Sequence, residues 1–378
     1  MMIWSSFLLW LINGLLEING LIMTLDKHKT RFTEIDLLRF LAAISVMLYH
    51  YTFRGAAEGN LSAIGVPSLA MIFKYGYLGV DLFFIISGFV ILMTAIDRTP
   101  KSFVISRMVR LYPAFWVCCS LTFFMTLFFG GGRYTIKLWE YLVNLTMLQS
   151  IFHIKSVDGV YWSLLLEIIF YFYIFALIVF RQLRNIKYYL GVWLVVSIIL
   201  LKYPVKTIGA LFIPEYSAYF IAGSVFYLIN REKMDSYKII LLIGSYILAL
   251  ANVAEHIGGM NIMYLGADFN VVVPILFVTV SYSIFLLVAL NKTVALRSDW
   301  FLLLGALTYP LYLIHQFVGF MIFNALHLHV DRIVLFISTM GLMLLLAYLV
   351  HICVEDKFSP VFKRFLERHL WSFELMKK

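Results

Sequence analysis

Apolar runs close to the length that crosses a bilayer recur from one end of this chain to the other, and nothing else in it constrains the fold as tightly. Read between breaks at charged and Gly- or Pro-rich stretches, they fall near 35–54, 75–96, 103–129, 160–180, 188–204, 207–229, 238–256, 269–290, 300–323 and 331–353. Helices suit such runs in lipid, because each helix satisfies its own backbone polar groups. The sequence therefore predicts an all-α polytopic bundle of about ten spans, with residues 31–355 as one membrane domain. No interval between the runs holds a soluble domain of ordinary size. Only 13% of the residues are charged, against about a quarter in soluble domains.

A formal net charge of +9 raises the question of nucleic acid. The cations, however, sit in short clusters between apolar runs, where the positive-inside effect places them, so a lipid bilayer and no nucleic acid is the expected partner. With the segment before residue 35 cytoplasmic, only Arg54, Lys74, Arg133, Lys137, Lys155, Lys202, Lys206 and Arg332 fall outside, so both ends of the ten-helix domain are expected in the cytoplasm of a bacterial-type inner or plasma membrane. Residues 1–30 form an apolar and basic extension without a positive start, and Glu17 interrupts it. That makes a poor cleavable signal and leaves open an extra helix, an interfacial segment, or translation from Met23. Residues 356–378 mix cations with Phe, Leu and Trp, as an interfacial helix on an anionic leaflet does. Cys118, Cys119 and Cys353 are assigned to packing, and no set of side chains shows metal-ligand spacing. The oligomeric state stays open.

Ionisable residues inside the spans carry the chemistry. In "DLLRFLAAISVMLYHY", Asp36, Arg39 and His50 share one helical face, with Arg39 and His50 roughly 16 Å apart along the axis. The stripe suits a long ligand, charged at one end and reactive at the other; the alternative is a snorkelling arginine paired with Asp36 and a packing histidine. "GYLGVDLFFIISGFVI" places Asp81 among glycines, with Arg39 as its expected partner, and Ser87 one to two turns on. "SRMVRLYP" sets Arg107 and Arg110 on one face, able to clamp phosphates or to anchor the span, with Pro113 expected to shape the start of the helix. In "YWSLLLEIIFYFYIF", Glu167 lies one turn beyond Ser163, a proton partner or a structural carboxylate, and Trp162 is a belt residue or the wall of a sugar site. "LGALTYPLYLIHQ" adds Tyr309, Tyr312 and His315, whereas His327, His329 and His351 read as loop or packing residues.

The order of these motifs resembles the membrane-bound acyltransferase family 3, over about residues 31–355. That resemblance implies ten-helix enzymes acylating extracytoplasmic sugars such as O-antigen or peptidoglycan, with acyl-coenzyme A, most often acetyl-coenzyme A, as donor substrate and no permanently bound cofactor. It implies that Arg39 and His50 match the family's first-helix pair, that Arg107 and Arg110 match its RxxR motif at the donor site, and that Glu167 matches a functional carboxylate. Asp81, Ser87, Trp162, Tyr309 and His315 match motif positions without settled roles.

The expected reaction is transfer of an acyl group from cytoplasmic acyl-coenzyme A to a hydroxyl of an external or lipid-linked glycan. His50 acts as base or transient acyl carrier, Glu167 or Asp81 orients it or binds the acceptor, and Asp36 and Tyr312 join the substrate-binding set. Two rival readings remain. A transporter or flippase would use the same charges as a pathway, and a non-catalytic assembly protein would leave them without a task.

Overall fold

The computed structural model describes residues 32–58 and 61–369; the extension before residue 32 and the last nine residues lie outside the described residues. The principal helices are α1 Thr33–Tyr49, α2 Gly79–Ala95, α3 Pro100–Phe129, α4 Trp162–Val179, α5 Ile186–Lys202, α6 Pro214–Arg231, α7 Ser236–Met263, α8 Val272–Ala289, α9 Trp300–Leu326, α10 Arg332–Val350 and α11 Phe358–His369, with no strand among the described residues. Nine helices among the described residues are long and apolar enough to cross a membrane. The seventeen-residue α1, with Glu34, Asp36 and Arg39 in it, is not one of them, yet it packs in the same bundle between α2 and α9. The chain is an integral membrane protein with an all-helical bundle fold.

Helix starts follow local chemistry. Thr99 accepts a hydrogen bond from the Ser102 amide and Pro100 takes the first helical position, so α3 begins there and Pro113 lies inside it rather than at its start. Asp235 caps α7 and Asp331 caps α10 in the same way. The expected span 207–229 is broken: Ile213 takes a left-handed conformation (φ 43°), ending the short helix Lys206–Phe212 before Pro214 opens α6. The last span does not stop near 353 but passes through a π turn, His351–Glu355, into α11, which lies against α3 with Phe362 edge-on to Trp116 at 5.4 Å. Cys118 and Cys119 are buried as packing residues; Cys353, in that π turn, is exposed, so the packing assignment fails for it.

Two helices organise the rest. In the α6 region 78% of the apolar window is buried, against 33% around α4, because α6 touches α2, α5, α7 and α8. Its crossing with α2 depends on glycine: a Cβ on Gly223 would run into the Ile85 carbonyl, and one on Gly88 into the Phe220 carbonyl. The second organiser, α9, packs against α1, α3 and α10. One end of α1 is pinned to the α8–α9 connection, where the Arg297 guanidinium donates to Glu34 at 3.0 Å and the Ser298 amide donates to Thr33 at 3.0 Å.

The 130–159 connection is ordered by its own polar contacts. The Asn144 side chain donates to the Lys155 carbonyl at 2.9 Å and accepts from the Val157 amide at 3.0 Å. Asp158, fully buried, then accepts from the amides of Val160 (3.1 Å) and Phe317 (3.0 Å), tying this loop to the middle of α9.

Candidate active site

A cavity of about 590 Å³ opens where α1, α3 and α9 begin. Asp36 and Arg39 reach it from α1, Ser87 from α2, Arg107 and Arg110 from α3, and Glu167 from α4. Tyr309 and Tyr312 of α9 close one side. Gly305 lets α9 pass directly over Asp36, where a Cβ would meet the carboxylate at 2.5 Å. Arg39 sits 3.7 Å from Asp36, a loose pair. Arg110 is held from two sides, donating to Glu355 at 3.1 Å while its guanidinium lies 5.6 Å from the Tyr309 ring centre. Arg107 has no such carboxylate in its salt bridges among the described residues. Its guanidinium packs beside the Phe103 and Tyr171 rings at 5.8 and 5.6 Å and donates to Ser106 Oγ at 3.1 Å, while its Nε is buried with no hydrogen-bond partner among the described residues. The Glu167 carboxylate accepts from the Tyr171 hydroxyl at 2.5 Å.

Sequence reasoning missed the π turn that completes this cavity. His351 lines the cavity, with its Nδ1 2.9 Å from Glu355 Oε2, and the same Glu355 carboxylate grips Arg110 through its other oxygen. The packing reading of His351 is corrected accordingly. A histidine and a glutamate four apart near the end of a span look like any helix end, and only the kink of the π turn shows where they point.

A second cavity, of about 410 Å³, lies beyond the far end of α1. His50 and Arg54, both in the π turn His50–Arg54 that continues α1, line it together with Asp81 of α2 and Trp162 of α4. Arg39 and Asp81 thus line different cavities, and the expected pairing between them is corrected: Asp81 is hydrogen-bonded by the Tyr219 hydroxyl of α6 instead. Arg54 donates to Glu58 at 2.8 Å, and the Tyr264 hydroxyl donates to the same carboxylate at 2.7 Å. The Trp162 ring lies 5.4 Å from that of Tyr216, and Tyr77 lies 5.2 Å from His256, giving the cavity aromatic walls. Glu215 and Glu255 also face it, and none of Glu58, Glu215, Glu255 and His256 stood out in the sequence: the first two sit at helix ends, and the last two fall at the edge of the apolar run 238–256 although α7 continues to Met263.

The two cavities share two wall residues, Val80 and Tyr312. The Tyr312 hydroxyl is fixed by Ser163 Oγ at 2.7 Å and the Val160 carbonyl at 3.3 Å. One side chain from α2 and one from α9 therefore stand between a cavity with three arginines and a cavity with His50. His315 lines neither; it is buried behind His50, with its Nε2 3.0 Å from His50 Nδ1. Close by, burial pushes the Asp158 carboxyl up to about 7, with the backbone amides of Phe317, Val160 and Gly159 and the charge of Arg54 acting in the opposite direction.

Residues 32–352 match the family model described as an acyltransferase domain, of the acyltransferase 3 type. Two curated relatives show what the chain is similar to. One is the ORF330 protein of Acidianus two-tailed virus, named as a candidate acetyltransferase, 28% identical over 45% of this chain and 49% of its own length. The other is the peptidoglycan O-acetyltransferase OatA of Listeria monocytogenes, 29% identical over 43% of this chain and 27% of its own length. The chain thus spans about half of the first and about a quarter of the second. No solved structure matches it significantly. The family match starts one residue before α1 and ends inside the π turn that closes the first cavity. It covers nearly all of both cavities' walls, and on that extent the chain belongs to acyltransferase family 3, whose members transfer acyl groups.

Proposed function

We propose that this protein moves an acyl group, acetyl by preference, from acyl-coenzyme A in the first cavity to a hydroxyl of a glycan in the second. The observation that carries the reading is the shared wall. Two cavities opening at different ends of α1 meet at Val80 and Tyr312, with arginines on one side and a histidine on the other. The donor's phosphates and nucleotide suit the first cavity, which Arg39, Arg107 and Arg110 line together. In this reading the pantetheine arm crosses the wall that Val80 and Tyr312 share between the cavities, bringing the thioester to His50. The cation bias of the loops supports placing the first cavity on the cytoplasmic side.

The chemistry needs one base. His50 takes the proton of the acceptor hydroxyl as its oxygen bonds to the thioester carbonyl carbon; the C–S bond then breaks, and the leaving thiolate takes the proton back from the imidazolium. The products are an O-acyl glycan and free coenzyme A. Trp162, Tyr216 and Tyr77 offer faces to a sugar ring, while Asp81 and its neighbours accept from sugar hydroxyls.

The test is incubation of purified protein with labelled acetyl-coenzyme A and the host's surface polysaccharide, followed by mass analysis of the glycan. Donor-dependent mass gain, lost in His50→Ala while the variant still folds, is the expected result. Meeting cavities also suit a transporter, and glycan movement across vesicles with no acyl donor present would favour that alternative.

A further inference from the structure

We propose that His315 is a positioning residue: by accepting a hydrogen bond from Nδ1–H of His50 it leaves Nε2 of His50 as the atom that receives the acceptor's proton. The inference rests on the acyl-transfer reading for its catalytic consequence, but its geometric part does not. His315 is fully buried, and its Nδ1 lies 2.9 Å from the Tyr312 carbonyl and 3.1 Å from the Leu311 carbonyl. Carbonyl oxygens only accept, so Nδ1 of His315 carries a proton. In a neutral imidazole the other nitrogen, Nε2, is then a bare acceptor. That nitrogen sits 3.0 Å from His50 Nδ1, which must therefore be the donor.

The surroundings of His50 point the same way. The Val46 carbonyl, one turn back on α1, is a second acceptor for its imidazole. In a helix the nitrogen that reaches the preceding turn is Nδ1, as His315 and His369 show. With Nδ1 committed to donation, the lone pair of His50 is on Nε2, and His50 lines the second cavity while His315 does not. The π turn that begins at His50 sets this up, because it changes the side-chain direction at the end of α1. Tyr51, the next residue, hydrogen-bonds to the His315 carbonyl at 2.5 Å, so α1 and α9 are fastened together at the pair itself. His315 touches His50, not the reacting atoms.

The experiment has two arms on the full chain in nanodiscs. In the first, ¹⁵N-histidine labelling separates protonated from bare ring nitrogens by chemical shift, and subtraction of the His50→Ala spectrum picks His50 out of nine histidines. A proton on His50 Nδ1 and none on Nε2 is expected, and the reverse overturns the proposal whatever the activity. The second arm measures steady-state transfer from acetyl-coenzyme A in two variants. In His315→Leu, kcat is expected to fall by about 100-fold, the usual scale for general base catalysis, with KM for the donor within about two-fold. In His315→Gln, whose side-chain oxygen reaches the place of Nε2, kcat is expected within about ten-fold of the parent. An unchanged kcat in His315→Leu, or equal losses in both variants with a common rise in KM, sinks the positioning role. The predicted tautomer together with no transfer by the parent protein supports the geometry and counts against the acyl-transfer reading instead.

Discussion

Arg107 differs from its two arginine neighbours in how it is held. Arg39 and Arg110 each face a carboxylate, whereas Arg107 packs beside two rings and donates to Ser106 Oγ, with no carboxylate in its salt bridges among the described residues. Its guanidinium lines the first cavity, and charge-assisted hydrogen bonds from such a group to a phosphate are worth about 1.5–3 kcal/mol. Arg107→Ala is accordingly expected to raise KM for acyl-coenzyme A roughly 10- to 100-fold with kcat changed only a few-fold, by initial-rate kinetics, and Lys should restore only part of the loss. The spacing of Arg107 and Arg110 was visible in the sequence; the difference between them was not, because it is made by Glu355, more than two hundred residues away. Asp158 carries a separate prediction. Its carboxyl is raised by burial from 3.8 to about 7, so between those pH values the folded protein holds a proton that the unfolded chain has released. Stability should fall as pH rises through that window and level off above it. Melting curves of Asp158→Asn should lose the slope, at a constant cost of about 1–3 kcal/mol, because the Asn nitrogen cannot accept the backbone amide that one carboxyl oxygen held.

At the level of elements, the two π turns do what straight helices could not. His50–Arg54 continues α1 and lines the second cavity; His351–Glu355 continues α10 and lines the first. Each re-aims polar side chains that an unbroken helix would leave on its packed face. Nothing in "HYTFR" or "HICVE" announces a π turn, since the extra residue per turn is settled by what α9 and α3 require on the other side. The α2–α6 crossing is the opposite case, fixed by residues with no chemistry at all. Gly223→Leu forces a side chain into the Ile85 carbonyl and should destabilise the fold by about 1–3 kcal/mol or more. Thermal aggregation in detergent reads this directly, with Gly209→Leu, whose added Cβ has nothing within 4 Å, as the control expected to melt with the parent.

Across the molecule, the second cavity presents more carboxyl groups than cations. Glu58 is matched by Arg54, and Asp81, Glu215 and Glu255 remain against His256. Like charges brought together across an interface cost several kcal/mol, so a glycan with a uronate or other carboxylate next to the acceptor hydroxyl should be acylated at least about ten-fold more slowly than its neutral counterpart. Parallel assays on matched oligosaccharides check this, and combining Glu215→Gln with Glu255→Gln should narrow the difference. Preference for the carboxylated acceptor in the parent protein would falsify this account of the cavity. The first cavity sets Arg39, Arg107 and Arg110 against Asp36, Glu167, Glu355 and Asp356, so the net charge of its lining does not by itself define its ligand.

The sequence by itself determined the all-helical membrane fold, because backbone groups in lipid have no partner outside their own helix and apolar runs of span length leave little choice. It also placed arginines near one end of the bundle and a histidine farther along α1, since helical geometry ties spacing to direction. Tertiary structure alone decided which of those groups meet. Asp81 went to Tyr219 rather than Arg39, His315 came behind His50, and Tyr312 came to stand with Val80 between two cavities. Those contacts join helices far apart in the chain, and which faces meet is set by close packing at glycine crossings and re-aimed turns, which no local pattern encodes.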